Sequence, residues 1–297
     1  MFTRFDDVIE KAAQKKPFRI SIAAADDIEV LKSVKMVEDL GLASCVLVGR
    51  AEQITRMARQ VGISSKTEIV NAPDEKGAVA KAVSIVRAKY ADILVKGLVN
   101  TSDFLKGVLD RETGIKRESL LSHLAAFEIP GRHKVVFHTD GGINIAPNLE
   151  QKKHILINGI MALERMGIIN PNVAVLTANE RVNLKMPSTV DAMALVRMRE
   201  KEIISSGIIE GPLALDVAVC KEAAKRKGID SRISGNVDLF LVPDLDAGNI
   251  LGKSLIYYAG AKMAGIVLGA SNPIVLTSRS ETAEGKLFSI ALACLAS

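Results

Sequence analysis

The sequence predicts an α/β protein with a mainly parallel sheet, because short apolar runs alternate with amphipathic helical stretches along much of the chain. The first apolar run, Phe18 to Ala24, has the length of a buried strand. Asp26 and Asp27 follow it and are typical caps for a helix that runs to about Leu40. A length of 297 residues is enough for two domains.

The same alternation continues through the rest of the chain. Further strands are predicted at 44–48, 67–70, 93–95, 134–139, 173–176 and 237–242, with helices near 52–61, 76–89 and 149–166 and from about 189. The turn-forming stretch Phe127 to His133 is interpreted as a crossing between domains. A short apolar run at Ile274 to Leu276 then precedes a final helical pattern.

Composition and charge favour a protein that acts on small anions. Aromatic residues make up 4% of the chain and tryptophan is absent, which argues against base-stacking surfaces for nucleic acid. The net charge of +5 comes from 39 basic and 34 acidic residues spread along the chain. The three cysteines form no CxxC pair, and neither a signal peptide nor a membrane-length apolar run is present. We therefore expect a cytoplasmic protein with reduced thiols and no membrane partner.

Polar residues follow several predicted strands, as a substrate site in a parallel sheet requires. Lys96 comes directly after one strand, and Gly97 beside it is expected to let the backbone approach a ligand. Lys106 lies on the next helix, and Asp140 follows a later strand. Each lysine could hold a phosphate or remain a solvated surface group.

The stretch around Ser278 and Arg279 is the strongest candidate for an anion site. It places hydroxyl groups and a guanidinium at a predicted helix start, where free N–H groups and the helix dipole favour negative charge. Ser278 and Glu281 also have the spacing of a capping box, which needs no ligand.

Two other patterns bear on ligand binding. Ala247 to Ser254, which includes Lys253, fits a relaxed phosphate-loop motif with alanine at the first glycine position. A phosphate-cradling turn is the weaker prediction that it supports. The four histidines show no metal-ligand spacing and are interpreted as structural, so no metal site is expected.

Taken together, six segments resemble the phosphate acetyl/butyryltransferase family over essentially the whole chain, with an ending more like its butyryl branch. They are Val95-Lys96-Gly97 with Asn100-Thr-Ser-Asp103, Glu128-Ile-Pro130, Thr139-Asp140-Gly-Gly-Ile-Asn-Ile-Ala-Pro147, Gly211-Pro-Leu-Ala-Leu-Asp216, Val242-Pro-Asp-Leu-Asp246-Ala-Gly-Asn249, and Gly269-Ala-Ser-Asn-Pro273 with Thr277-Ser-Arg279. The resemblance implies two α/β three-layer domains around a cleft, as in isocitrate and isopropylmalate dehydrogenases. It places the first domain at 1–132 plus 267–297 and the second at 133–266.

The resemblance also implies the reaction. A short-chain acyl-CoA and phosphate would give an acyl phosphate and free CoA reversibly, by direct transfer in a ternary complex and without a further cofactor. Fold analogy suggests a homo-oligomer, a dimer or larger.

The implied roles follow the chemistry. Arg279 would grip the phosphoryl group and Ser278 would donate to the reacting oxygens, while the secondary substrate contacts would be Lys96, Lys106, Asp140, Asp246, Asn249 and Lys253.

The general base remains open. The acetyl branch carries an aspartate seven residues after the serine, where this chain has Gly285. Glu284 is the obvious substitute, with Asp246 and Asp140 as alternatives, and a mechanism without a side-chain base is also possible.

Three other functions remain alternatives. One is phosphate acetyltransferase, and another is an isocitrate-type dehydrogenase that uses Asp244 and Asp246 for a metal. The third is a nucleotide-binding module built on residues 247–254.

Overall fold

The structure is a computed structural model that describes residues 2–15, 17–116, 120–277 and 281–297. Helices and strands alternate along it as expected for an α/β protein. In chain order the elements are α1 (Phe5–Ala13), β1 (Phe18–Ala23), α2 (Ile28–Asp39), β2 (Ala43–Gly49), α3 (Ala51–Val61), β3 (Glu68–Asn71), α4 (Glu75–Arg87), β4 (Ile93–Lys96), α5 (Thr101–Leu109), β5 (Ser122–Glu128), β6 (Val136–Thr139), α6 (Leu149–Arg165), β7 (Asn172–Leu176), α7 (Pro187–Glu200), β8 (Ile208–Leu213), α8 (Leu215–Val219), α9 (Lys221–Arg226), β9 (Leu239–Leu241), α10 (Leu245–Ala259), β10 (Lys262–Leu268), β11 (Ile274–Val275) and α11 (Ala283–Ala296).

The chain forms two compact units. The first contains the described residues of Phe2–Ser119 and Ala264–Ser297, and the second contains Leu120–Met263. These divisions fall 13 and 3 residues before the positions that the sequence suggested.

The first unit is built on a sheet with the strand order β3-β2-β1-β4-β11-β10. All neighbouring pairs from β3 to β11 are parallel, and β10 alone runs antiparallel to β11. The chain moves outward from β1 to β3 and then returns to the other side of β1 with β4. Polar caps begin the connecting helices, since the side chains of Asp27 and Asp74 accept hydrogen bonds from Val30 N and Gly77 N.

Helix α11 is the central helix of the first unit. Twelve of its residues, Gly285 through Ala296, are buried, as expected for a helix that is apolar on all sides. It packs against α1 and α2, and the rings of Phe5 and Phe288 stack with centroids 4.7 Å apart. The amine of Lys15 donates to the carbonyl of Leu295 at 2.9 Å. The unit therefore depends on a segment far from the rest of it in sequence.

The second unit has the strand order β5-β6-β9-β7-β8. Strands β6, β9, β7 and β8 are parallel, whereas β5 is antiparallel to β6. The turn-forming stretch Phe127 to His133 therefore begins in β5 and continues into the connection of a hairpin inside this unit. Its interpretation as a crossing between domains is wrong, because β5 pairs with β6 through Ala125 and His138.

A buried ion pair holds the amino-terminal ends of β6, β9 and β7. Lys134 Nζ lies 2.6 Å from Asp238 Oδ1 and also donates to the backbone and side-chain oxygens of Asn236. The other oxygen of Asp238 accepts from Asn172 N. Both charges are thus paired and hydrogen-bonded, which is the condition for burying them at acceptable cost.

The helices of the described residues include none with the combination of length and apolar character that crossing a bilayer demands.

Candidate functional site

In the first unit, the strand ends bring the predicted site segments to one edge of the sheet. Strands β4 and β11 are parallel, with Val275 opposite Val95, so Lys96 and Thr277 leave the sheet on the same side. Ser278 and Arg279 follow Thr277 in sequence and lie outside the described residues. Strand pairing brings Thr277, the last described residue before them, to the edge of the sheet at which Lys96 lies.

The loops after β1 and β4 are joined by backbone hydrogen bonds. Gly97 N donates to Ala23 O and Leu98 N donates to Ala24 O, each at 2.8 Å. A Cβ atom at Gly97 would lie 2.2 Å from Ala24 O, so glycine is required for this contact. We expected Gly97 to admit a ligand, but it admits the neighbouring loop. The strand order reverses between β1 and β4, which is where open parallel sheets bind ligands. Here these backbone hydrogen bonds close the gap between the two loops.

Lys96 is buried, with 2% of its surface exposed. Its Nζ donates to the carbonyls of Gly97 and Val99 at 3.2 and 3.0 Å. These bonds hold the turn after β4. In this conformation the ammonium is directed at backbone oxygens and covered by protein. A phosphate contact of Lys96 stays a prediction.

The first unit has a hollow at the carboxyl ends of its strands and another between two of its helices. A cavity of about 280 Å³ is lined by Asp26, Arg50, Asp74 and Glu75, among others, and the guanidinium of Arg50 is paired with Asp26 there. A larger groove of about 650 Å³ runs between α4 and α5. Lys106 lines this groove and is exposed, with its Nζ 3.1 Å from Asp103 Oδ1. Such an exposed pair is weak, so the Lys106 amine can turn to an anion.

The last helix begins later than the sequence suggested. Helix α11 starts at Ala283, and Thr282 is its cap because Thr282 Oγ1 accepts from Gly285 N at 3.1 Å. The predicted capping box of Ser278 with Glu281 is therefore not the cap of this helix. Glu284 lies in the first turn and is exposed.

In the second unit, Asp140 is buried and saturated with hydrogen bonds. Its Oδ1 accepts from Gly142 N and Ile143 N, both at 2.9 Å, and its Oδ2 accepts from Asn144 N and Asn144 Nδ2 at 3.2 and 2.6 Å. Because all four donors belong to residues 142–144, this carboxylate fixes the conformation of the loop after β6. In this conformation its oxygens are engaged and the residue is 2% exposed. The roles of Asp140 as a substrate contact and as an alternative base stay predictions.

Side chains also fix the segment that enters β5. Asn158 donates to Leu120 O and to Ser122 Oγ, and Asn144 donates to Leu121 O. Thr139 Oγ1 donates to His123 O at 2.7 Å. Sequence reasoning missed this arrangement, whose only signal is the cluster of amides and hydroxyls beside apolar runs.

Two histidines face this arrangement. The Nδ1 atoms of His123 and His138 are buried and have no hydrogen-bond partner in the described part of the chain. Burial lowers the pKa of His138 to about 3, and the neighbouring His123 acts in the same direction. Burial also lowers the pKa of His123, and the charge of Asp140 opposes that shift. Both imidazoles are therefore neutral near pH 7.

Helix α10 gathers the remaining predicted contacts. Asp246, Asn249 and Lys253 are exposed and share one face of the helix, since their spacing of three and four residues follows its period. The phosphate-loop prediction for 247–254 is wrong, because these residues are helical and their N–H groups serve the helix. Asp244, a suggested metal ligand, caps the helix by accepting from Ala247 N at 2.8 Å.

Comparisons with known proteins agree with this architecture. The family described as phosphate acetyl/butaryl transferase matches residues 67–294. Phosphate butyryltransferase of Clostridium acetobutylicum is 40% identical over 99% of this chain and 98% of its own length. The probable phosphate butyryltransferase of Bacillus subtilis is 43% identical, also over 99% of this chain and 98% of its own.

A solved structure gives the same result at the level of the fold. The branched-chain phosphotransacylase from Enterococcus faecalis V583 superposes with a TM-score of 0.84 at 32% identity, covering 94% of this chain and 98% of that one. Sequence and fold thus agree over nearly the full length, and the chain belongs to the phosphate acetyl/butaryl transferase family.

Proposed function

We propose that the protein reversibly transfers a short-chain acyl group, butyryl or similar, between coenzyme A and inorganic phosphate. Transfer is direct and takes place in a ternary complex. The observation that carries the proposal is the near full-length similarity to a phosphate butyryltransferase. CoA and phosphate are substrates, and the reaction requires no further cofactor.

The chemistry defines what the residues must supply. In the direction from acyl phosphate, the CoA thiol loses its proton, the sulfur bonds to the acyl carbon, and the bond from that carbon to the phosphate oxygen breaks. Negative charge gathers on the carbonyl oxygen during attack, and aimed donors lower the barrier. Arg279 would bind the phosphoryl group and Ser278 would donate to the reacting oxygens.

Lys106 remains a candidate for the phosphates of CoA. Its exposed amine lines the groove between α4 and α5, and the exposed salt bridge with Asp103 costs little to break. Asn249, Lys253 and Asp246 stand together on α10 and are further candidates for polar contacts with CoA.

The test is an assay of thiol release from butyryl-CoA in the presence of phosphate. We expect turnover with sequential steady-state patterns, and Arg279→Ala should lower kcat/KM by about a hundredfold or more, as loss of a transition-state contact does. Ping-pong patterns would contradict direct transfer. Near-normal turnover of Arg279→Ala would contradict the proposal that this segment binds an anion.

The preferred acyl chain is tested by comparing acetyl-, butyryl- and branched acyl-CoA in the same assay. A clear preference for acetyl-CoA would favour the phosphate acetyltransferase alternative. One methylene contributes only ~1–3 kcal/mol to discrimination, so adjacent chain lengths should overlap in rate. Reduction of a nicotinamide cofactor by a hydroxy acid would instead support the dehydrogenase alternative.

We also propose a homo-oligomer, with α10 at the interface between copies. Ile250 and Tyr257 share the side of α10 that carries Lys253, so the copies would meet beside the proposed CoA contacts. Helix α10 leaves Ile250, Tyr257 and Tyr258 exposed, the tyrosines at 79% and 92%. A row of large apolar side chains on one helix is typical of a contact surface. Light scattering of the wild type and of Tyr257→Ser/Tyr258→Ser tests this, and identical masses for the two proteins would contradict it.

The remaining expectations are the location and the relation to other folds. We propose a cytoplasmic protein, in line with three cysteines that form no disulfide in the described residues. Fold kinship with isocitrate-type dehydrogenases is likewise a proposal, and it carries no claim about their chemistry.

A further inference from the structure

The cavity of about 280 Å³ in the first unit lies over the carboxyl ends of three parallel strands. The residues directly after β1, β2 and β3 line it, and so does Leu98 from the loop after β4. Its volume is close to the lower end of small-molecule sites, ~300 Å³. Sheets with the strand order β3-β2-β1-β4 bind nucleotides at this edge, where an acidic residue or an arginine contacts the ribose.

Arg50, the first residue after β2, supplies positive charge to this cavity. Its Nε donates to Asp26 Oδ2 at 2.7 Å, and its Nη2 donates to the same oxygen. Gly49 leaves space for that carboxylate, because a Cβ atom there would lie 2.7 Å from Asp26 Oδ1. The side chain of Arg50 is 51% exposed, whereas that of Asp26 is 8% exposed. Asp26 therefore holds one edge of the guanidinium, and the remaining donors of its five N–H groups can bind a ligand.

Asp74 and Glu75 bring acceptors to the same cavity. Asp74 Oδ1 accepts from Gly77 N at 2.7 Å, and within the described ranges Asp74 Oδ2 and the Glu75 carboxylate have no hydrogen-bond partner. No three acidic, histidine or cysteine side chains of the described residues are grouped so that they could hold a metal ion. These oxygens are instead suited to hydroxyl and amino donors. Small or apolar residues complete the lining, among them Ala72, Ala78 and Leu98.

The lining defines the chemistry of a matching ligand. It needs an anionic group for Arg50, hydroxyl or amino donors for Asp74 and Glu75, and a flat ring for the apolar wall. Coenzyme A has all of these at one end, which is a 3′-phosphorylated adenosine. There the 3′-phosphate stands beside the 2′-hydroxyl of the ribose, and the adenine carries an amino group.

The distance to the predicted reacting segment agrees with the length of CoA. Strands β1 and β4 separate β2 from β11, so the ends of β2 and β11 are about 14 Å apart at ~4.8 Å per strand. The pantetheine arm has about as many bonds as four peptide residues and spans roughly 14 Å when extended. The groove with Lys106 shares Asp74 and Glu75 with the cavity, so a second phosphate contact at Lys106 is compatible with this placement.

We infer that this cavity binds the 3′-phosphoadenosine end of CoA and that Arg50 determines the preference for CoA over 3′-dephospho-CoA by binding the 3′-phosphate. Asp74 and Glu75 accept from the ribose hydroxyl and the adenine amino group. This inference rests on the proposed acyl transfer, and it assigns Arg50 to substrate recognition at a distance from the reacting atoms.

The test compares CoA with 3′-dephospho-CoA as acceptors of the butyryl group from butyryl phosphate. A hydrogen bond to a charged group contributes about ten- to a hundredfold. We expect the wild type to prefer CoA by that factor in kcat/KM, mainly through KM. In Arg50→Met the preference should fall close to one, with kcat for CoA unchanged. The ratio is taken within one variant, so a partial loss of folded enzyme cancels.

Arg56→Met is the matched control. Arg56 is exposed on the same helix, α3, and does not line the cavity, so its substitution removes the same charge without touching the site. It should keep the wild-type preference for CoA. Loss of the preference in Arg56→Met as well would overturn the inference, because the general positive field and not a contact of Arg50 would then attract the 3′-phosphate.

A binding measurement that needs no turnover completes the test. Calorimetric titration compares adenosine 3′,5′-bisphosphate with adenosine 5′-monophosphate, which lacks the 3′-phosphate. The bisphosphate should bind the wild type and Arg56→Met about ten- to a hundredfold more tightly than the monophosphate does. Arg50→Met should bind the two nucleotides equally.

The outcomes separate the two proposals. A wild type that does not exchange butyryl-CoA with phosphate overturns the acyl-transfer function, and the titration then decides on the cavity alone. An active wild type without a preference for CoA over 3′-dephospho-CoA overturns the role of Arg50. So does an Arg50→Met enzyme that keeps the wild-type preference in both measurements.

Discussion

Gly141 and Gly248 are in direct backbone contact. A Cβ atom at Gly248 would lie 2.6 Å from Gly141 Cα and 2.7 Å from Val242 Cγ2. The loop after β6 and the first turns of α10 therefore meet at these two glycines, where neither segment has a side chain. This contact positions the Asp140 loop against the helix that carries Asn249 and Lys253.

Gly248→Ala should destabilise the second unit, because the clash involves backbone that cannot turn away. Overpacking of this kind costs about 1–3 kcal/mol. We expect a lower midpoint in urea and reduced turnover. Ala247→Ser, one residue earlier on the helix, is the control and should unfold at the wild-type midpoint, and an unchanged midpoint for Gly248→Ala would contradict the contact.

Asp238→Asn should be far more damaging than loss of a surface charge. It leaves the buried Lys134 ammonium without its partner, at a cost of about 3–5 kcal/mol. Glu150→Gln is the comparison, since it breaks the exposed pair with Lys153, which is worth about 0–1 kcal/mol. Urea denaturation measures both variants, and equal midpoints would refute the difference.

Acid should weaken the second unit through His138. Its pKa is about 3 in the folded protein and near 6.5 when unfolded, so the unfolded state binds the proton first as pH falls. The stability contribution is full above pH 6.5 and is lost between 6.5 and 3, at up to about 1.4 kcal/mol per pH unit. His138→Leu should flatten this dependence, measured as melting temperature against pH. The exposed His154→Gln should not, and an equal slope in His138→Leu would exclude the mechanism.

Substitution of Lys96 should lower stability, whereas substitution of Lys106 should weaken substrate binding. Lys96→Met removes the ammonium that donates to Gly97 O and Val99 O, and Gly97 O keeps Val99 N as a donor; the change should cost about 1–3 kcal/mol, seen as a lower melting temperature. Lys106→Met should keep the melting temperature and raise KM for CoA. A stable Lys96→Met enzyme with a raised KM would instead support the predicted substrate contact of Lys96.

Most strands could be predicted from the sequence, because each is an apolar run that ends at a polar residue. Strands β1 and β4 were predicted to within one residue because Asp26 and Lys96 mark their ends. Strand β5 was missed since Ser122 and His123 open it, and its pairing with β6 decides its conformation. Strand β10 was missed because it continues the apolar sequence of α10, where periodicity cannot separate helix from strand.

The site was harder to predict because side-chain partners depend on the folded loops. Asp140 was correctly expected after a strand, but no spacing indicates that four donors from its own loop would occupy it. Glu281 was interpreted as half of a capping box with Ser278, but α11 begins at Ala283 and Thr282 caps it. Ser278 and Arg279 stay predictions, supported by sequence.

The position of α11 has a consequence for synthesis on the ribosome. The second unit has all of its strands once residue 263 has emerged, whereas the first unit still lacks β10, β11 and its central helix. Residues 2–116 must therefore wait, with the surface that α11 will cover open to water, until the interrupting unit has been made. The later unit in sequence can thus be the earlier one to fold, and nascent chains that end before residue 283 should expose a protease-sensitive first unit.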